Sequence, residues 1–430
     1  MKTSLRFVLL FLALALPALR SATADVRWMW SGAQTPDSVR IKVKFGTAEA
    51  EPLTYVPAGE AGAVPAQVAP ASVVPAGEGW IADYHLHGLQ PATSYHYTVG
   101  GVAGRVSTLP PPGPASFTLA LSSCGDTGST HEVFRAIAAH APLFFLHMGD
   151  LHYEDIAVND VAVFHAAIDR ALTSPTQATL FRSTAVPYMW DDHDFGPNNS
   201  DSSSPSREAS RRAYREAVPH HPLVIGEDGP VYHAFTVGRV RFIMSDMRSE
   251  RSPLTVPDGL DRSMLGAEQK AWFKAEVLAA RDTHALIVWV NSVPWIGTDS
   301  GSENEDRWTG FVTERAELSA FLEEHDIRNL CVLSGDSHML AIDDGTNNRY
   351  GPSGRPLFPV FQAAALDRKG SVKGGPYSHG TFPGPGQFGL MRVVDDGGPE
   401  VRVEWSGRNH KGAEPVRHSF TVTVPSPDPS

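Results

Sequence analysis

Six short apolar runs, most of them continuous, constrain this chain more than any other feature. They cover residues 117–121, 143–146, 186–190, 240–244, 286–290 and 330–333, and most are rich in β-branched or aromatic side chains. Runs this short do not make helices of ordinary length, and unbroken hydrophobicity marks strands covered on both faces. Helical spacing lies between them, at 132–139, 208–218, 267–280 and 314–324, with Thr130 and Thr313 placed to cap the first and the last. Strands alternating with helices define an α/β fold class.

Each run ends in reactive groups. In order they are Ser122-Ser123-Cys124, Gly149-Asp150-Leu151-His152-Tyr153, Asp191-Asp192-His193-Asp194, Ser245-Asp246-Met247-Arg248, Asn291-Ser292 and Gly335-Asp336-Ser337-His338. Ligands of α/β sheets bind beyond the carboxyl ends of the strands, so six such ends are expected to converge. A thiolate, carboxylates, imidazoles and a phenol are metal ligands. Packed together they repel one another unless cations sit among them. Paired metals that activate water and neutralise phosphate oxygens give a reason to gather them. Gly149 and Gly335 precede two of the aspartates and let the backbone turn sharply. Plainer roles stand beside these. Cys331, inside its run, reads as a small hydrophobe. Asp191 and Asp194 either touch metal or orient His193. Arg248 either pairs with Asp246 or clamps phosphate. Residues 384–389 fit G-x-G-x-x-G without the strand–turn–helix context of a dinucleotide site, and neither a Walker A nor an H-E-x-x-H pattern occurs.

The rest of the chain frames this part. In residues 1–24, Lys2 and Arg6 precede an apolar stretch at 7–19, and Ala22-Thr23-Ala24 offers a cleavage site. That is the pattern of a signal peptide, so a secreted or periplasmic protein is expected. No later stretch is long and apolar enough to span a bilayer. Residues 25–109 read as a small all-β sandwich, with alternating stretches at 39–45 and 80–86. Within it, the stretch from Leu89 to Val99 resembles the tyrosine-bearing corner of fibronectin type III sandwiches. Residues 110–115 form a Pro-rich linker, and 116–430 the catalytic domain. The Gly/Pro-rich segment 351–387 is long enough to be functional, and strands are expected at 388–394, 400–405 and 420–424. The formal net charge is −12, and loss of Lys2, Arg6 and Arg20 makes it −15. This balance disfavours nucleic acid as a structural partner, and an anionic substrate needs locally placed cations. Two cysteines do not make a disulfide scaffold.

The motifs carry a resemblance. Cys124, GDLHYED at 149–155, WDDHDFGPNNSD at 190–201, SDMRSER at 245–251, SGDSH at 334–338 and GGPYSHG…GPGQFG at 374–389 resemble the alkaline phosphatase D (PhoD-like) family of calcineurin-like metallophosphoesterases. The resemblance covers about residues 117–405. It implies a four-layer α/β/β/α sandwich with metals at one end, behind a small fibronectin III-like domain. It assigns Asp150 as the bridging carboxylate and Cys124, Tyr153, Asp192, Asp336 and His338 as further ligands. His193 falls where a proton-donating or phosphate-binding histidine sits, and Asn198 or Asn199 where an extra calcium ligand is expected. Asp191, Asp194 and Arg248 surround these. Thiolate and phenolate suit Fe3+, and the oxygen-rich remainder suits Ca2+ or another divalent ion such as Zn, Mn or Mg. The implied activity is hydrolysis of small phosphate esters by in-line attack of a metal-bound hydroxide. Rival readings are a phosphodiesterase acting on phospholipid, teichoic acid or nucleotide, and a non-catalytic binding protein that keeps the fold. Gly125-Asp126-Thr127 follows Cys124 where the best-known members carry a Gln-rich stretch, and the region before WDDHD is short. Both features leave the cleft wall, and hence the ester cleaved, open. Oligomeric state is not legible.

Overall fold

A computed structural model describes residues 25–60, 62–298 and 306–425. The signal-peptide reading of residues 1–24 lies outside the described residues. Two sheets carry the α/β part. One has seven strands in the order His233–Val237, Val240–Met244, Leu286–Asn291, Leu330–Ser334, Val360–Ala363, Met339–Asp343 and Thr381–Pro383. The run from Val240–Met244 to Val360–Ala363 is parallel. The other sheet has five strands, in the order Phe145–His147, Phe117–Ser122, Gln387–Val394, Glu400–Asn409 and Val416–Thr423.

Alternate residues of a central strand enter different cores. Leu286, Val288 and Val290 join the cluster between the sheets, while Ile287 and Trp289 join one beneath helices Ala267–Arg281 and Val312–Glu324. Cys331 and Leu333 divide from Leu330 and Val332 in the same way. Side chains of a strand alternate in direction, so apolar cover on both faces is what makes these runs continuous. Phe144 against Phe242 and Phe361 against Trp405, with ring centroids 5.7 and 5.1 Å apart, close the two sheets on each other. On the far side of the five-stranded sheet Phe145 stacks on Phe181 of helix Pro175–Ser183, which also meets Phe134 of helix Val133–Ala139. The layers are therefore α/β/β/α.

Two four-stranded sheets precede them. One has the order Val26–Gly32, Ser38–Phe45, Trp80–His87, Ser72–Pro75, and the other Ala66–Val68, Leu53–Pro57, Ser94–Val99, Val102–Ser107. Tyr95 is buried and its hydroxyl accepts the Gln90 N–H at 2.8 Å, which is the corner geometry the sequence predicts. The first strand also enters the α/β part. Trp28 Nε1 donates to Asp169 at 2.6 Å, Trp30 Nε1 donates to the Ala217 carbonyl at 2.8 Å, and the Val186 N–H donates to the Ser31 carbonyl at 2.7 Å.

Several expectations fail for local reasons. Residues 186–190 make no regular strand, because Pro187 has no N–H to give; the segment still lies beside Phe145–His147, with the Met189 N–H donating to the His147 carbonyl at 3.0 Å. Helices Val161–Thr173 and Pro175–Ser183 were not foreseen. Asp160 caps the first through the Ala162 N–H, and Pro175 opens the second. Thr130 and Thr313 cap nothing, since the cap positions fall on Glu132 and Phe311. Both cysteines are free. Among the described residues no helix is long and apolar enough to cross a membrane.

Candidate metal centre

The strand ends bring the predicted groups together through a bent backbone. Cys124 follows Phe117–Ser122, Asp150 and Tyr153 follow Phe145–His147, and Asp336 and His338 follow Leu330–Ser334. Cys124, Asp150, Asp336 and His338 have φ values of 63°, 58°, 63° and 50°. Non-glycine residues adopt this left-handed region at a cost, and such strain gathers at working sites. Gly149, at φ 100°, makes the turn before Asp150, and a Cβ there would come within 2.8 Å of the Asp191 main-chain nitrogen. Gly335 serves a different need. A Cβ there would lie 2.7 Å from the Met148 carbonyl oxygen, so it permits close approach rather than a turn.

Three sets of ligand atoms each lie within 4.8 Å of one another: Cys124 with Asp150 and His338, Asp150 with Asp192 and His193, and Asp150 with Asp191 and Asp336. Asp150 belongs to all three. Tyr153 Oη donates to Asp150 Oδ2 at 2.7 Å and lies 3.1 Å from His338 Nε2. His338 Nδ1 donates to the Lys369 carbonyl at 2.9 Å, which leaves Nε2 for the centre.

The cluster is short of positive charge. Oδ1 of Asp150, Oδ2 of Asp191, Oδ1 of Asp192 and Oδ2 of Asp336 are buried without a hydrogen-bond partner among the described residues. Unpaired buried oxygens of this kind are costly. Burial, then the charges of Asp192, Asp191, Asp194 and Asp336, push the Asp150 carboxyl well above its ordinary range. Burial raises Asp191 to about 8 against the pull of Arg248. Burial and then Asp150 also raise the Cys124 thiol and the Tyr153 phenol. Burial pushes Asp192 upward too, but Arg248, His193 and the Asn199 N–H together hold it below the usual carboxylate range. Metal ions fit this donor set. They would give each orphaned oxygen a partner and displace protons from the raised groups.

Other groups hold the ligands in place. Asp194 joins none of the three clusters among the described residues. Its carboxylate accepts the N–H groups of Asp150 at 2.6 Å, Leu151 at 2.8 Å and Asp191 at 3.1 Å. Arg248 corrects the sequence reading. Its Nε donates to Asp191 Oδ1 at 2.6 Å and its Nη1 to Asp306 at 3.0 Å, while Asp246 takes only its main-chain N–H at 3.0 Å. Arg248 is fully buried, which suits the holding of a ligand carboxylate. His193 Nδ1 lies 2.7 Å from Asp155 Oδ1, and its ring lies 4.1 Å from that of Tyr153. Asn198 and Asn199 are exposed, and Asn199 reaches the centre through its main-chain N–H, 2.7 Å from Asp192 Oδ2. Sequence reasoning missed Asp155, Asp306, Arg368 and Lys373. Arg368 lies 4.0 Å above the Tyr153 ring and pairs with Asp126, and Lys373 Nζ donates to Asp336 Oδ1 at 2.6 Å. The length of the 351–387 segment was the signal for the last two.

Two facing sheets with a thiol–carboxylate–imidazole cluster at their strand ends have the build of a metallophosphoesterase. The chain belongs to the PhoD-like phosphatase family, whose sequence model matches residues 119–374. It is 26% identical over 303 residues to alkaline phosphatase D of Bacillus subtilis (strain 168), a match that takes in 58% of this chain and 52% of that protein. The chain thus spans about half the length of this curated relative. A solved structure of PhoD is similar at a TM-score of 0.72 and 17% identity, over 95% of this chain and 92% of that one. Purple acid phosphatase PPD1 from yellow lupin (Lupinus luteus) seeds follows at 0.60 and 12%, over 93% and 74%. At such identities the two structures speak for the fold alone.

Proposed function

We propose that the chain hydrolyses small phosphate esters at a centre of at least two metal ions. The observation that carries this reading is Asp150, shared by three ligand clusters that leave four buried carboxylate oxygens without partners among the described residues. Cys124, Tyr153, Asp150 and His338 would hold one ion, for which thiolate and phenolate favour Fe3+. Asp150, Asp191, Asp192 and Asp336 would hold Ca2+ or another hard divalent ion. Bound metals supply Lewis acidity toward phosphate oxygens and acidify a water for attack. The protein's own work is positional. Asp194 and Arg248 fix the carboxylates. Asp155 engages His193 Nδ1, leaving the other ring nitrogen to give a proton to the leaving oxygen or to hold a phosphate oxygen. Lys2, Arg6, the apolar stretch at 7–19 and Ala22-Thr23-Ala24 support export and cleavage after residue 24.

The test is elemental analysis of the purified protein, with parallel assays on a monoester and a diester for wild type and Asp150→Asn. The variant removes the shared charge, so turnover should fall by about a thousandfold or more with the fold kept. Activity within about tenfold of wild type would overturn the assignment. Faster turnover of the diester would replace the monoester reading.

A further inference from the structure

Lys373 stands in the centre without a part in the reaction outlined above. It is held firmly from both sides. Two residues before it, the Ser371 N–H donates to the His338 carbonyl at 3.2 Å and Ser371 Oγ donates to the Ser337 carbonyl at 3.1 Å. Two residues after it, the Gly375 N–H donates to the Ile296 carbonyl at 3.0 Å. Gly374 between them has φ 73° and lies so close to Ile296 that a side chain would collide with its carbonyl. A lysine fixed in this way loses less freedom on meeting an anion than one on a free loop.

Its ammonium donates to Asp336 Oδ1, while Oδ2 of the same carboxylate is buried and unpartnered among the described residues, and one carboxylate oxygen of Asp336 clusters with Asp150 and Asp191. With the orphaned Oδ2 left for a metal, Asp336 would serve two cations at once, and Lys373 would not need to leave when a metal arrives. An ammonium has three donors, and one is spent on Asp336. The side chain keeps 34% of its surface open, so the centre retains an anchored, partly exposed positive charge within an otherwise acidic chain.

We propose that Lys373 is a catalytic residue that takes a non-bridging oxygen of the substrate phosphate, and that it favours monoesters over diesters. A monoester offers three non-bridging oxygens and two charges. A diester offers two and one, with a carbon where the third oxygen's charge would be. An ammonium aimed at the third oxygen separates the two classes. The inference rests on the metal-dependent phosphoesterase reading.

The test uses the full, metal-loaded chain with Lys373→Ala and Lys373→Arg. It measures metal content, calorimetric binding of inorganic phosphate, and KM and kcat for 4-nitrophenyl phosphate and bis(4-nitrophenyl) phosphate. Lys373→Ala should keep its metals and bind phosphate about tenfold more weakly, with a similar rise in KM for the monoester. The diester should change by less than about threefold, and Lys373→Arg should recover part of the phosphate affinity. Unchanged phosphate affinity, equal damage to both esters, or loss of metal would mean that Lys373 serves only Asp336. If wild type cleaves neither ester, the phosphoesterase reading fails by itself, and phosphate binding still decides the role of Lys373.

Discussion

The Asp194 carboxylate accepts the main-chain N–H of Asp150 at 2.6 Å across 44 residues of sequence. The loop that carries the shared ligand is thereby hung on a side chain of the short helix Asp192–Phe195. The same carboxylate takes the N–H groups of Leu151 and Asp191, and burial raises it to about 6 although hydrogen bonds from the Asp191 N–H, the Tyr188 hydroxyl and the Asp150 N–H pull it down. Asp194→Asn keeps the size and turns one acceptor into a donor facing N–H groups. Charge-assisted bonds contribute about 1.5–3 kcal/mol each, so the variant should lose about 2–4 kcal/mol in urea denaturation. It should also bind metal about tenfold more weakly, because the loop that presents Asp150 is released. Wild-type stability together with wild-type metal content would show that the loop holds itself.

What the sequence reveals depends on whether a residue's role is local. Residues 286–290 are legible as a strand because burial on both faces leaves no polar alternation to blur it. Residues 186–190 were equally apolar, but Pro187 took away the ladder. Cys124, Asp150, Asp192, Asp336 and His338 were legible because each ends or closely follows a buried run or aligns with a motif. The partner of Arg248 was not, since Asp306 lies 58 residues further along and only the fold joins them. The work of Asp194 was hidden for a different reason: it binds main-chain N–H groups, which leave no trace in residue identity. Arg368 and Lys373 sit in a Gly/Pro-rich stretch with no period to read.

Metal loading should strengthen as pH rises. Asp191 is raised from 3.8 to about 8, and Asp150, Cys124 and Tyr153 are also raised, so these groups hold protons that metal must displace. The sign for the metal-free protein follows. A raised acid stabilises the fold below its ordinary pKa, and that contribution is lost as pH climbs through the folded value. For Asp191 the window runs from 3.8 to about 8. Asp192, held low, loses its own contribution only in stronger acid. The gap in Tm between loaded and stripped protein should therefore widen from about pH 5 to about pH 8. A gap that stays constant across this range would count against a cluster frustrated by its own charge.

The seam between the amino-terminal sheets and the α/β part turns on Trp30. It is fully buried, stands 5.9 Å from Phe181 and 6.1 Å from Tyr188 between ring centroids, and donates to the Ala217 carbonyl. Trp30→Ala opens a cavity and should cost about 3–5 kcal/mol. Because Phe181 and Tyr188 belong to the α/β part, both parts should melt earlier and together. A variant in which the metal centre melts at the wild-type temperature would show that the sandwich is independent.

His193 offers the sharpest division of labour. A ring nitrogen lies within ligand distance of Asp150 and Asp192, so geometry alone allows it to be a metal ligand. Two features favour a role toward substrate. Nδ1 is engaged by Asp155, and the residue is only partly buried, unlike the carboxylates around it. A proton donor matters most when the leaving group is a poor one, such as an alkoxide, and little for a nitrophenolate. His193→Ala should keep its metals and cut turnover of an alkyl phosphate by about a hundredfold or more, with a much smaller effect on the nitrophenyl ester. Asp155→Asn should repeat this pattern more weakly, because it disturbs only the orientation of the ring. His338→Ala should lose metal and suffer on both esters alike. The deciding measurement is metal content beside the ratio of the two activities. Metal loss with equal damage in His193→Ala would move that residue into the ligand set and leave the leaving group to be protonated by water.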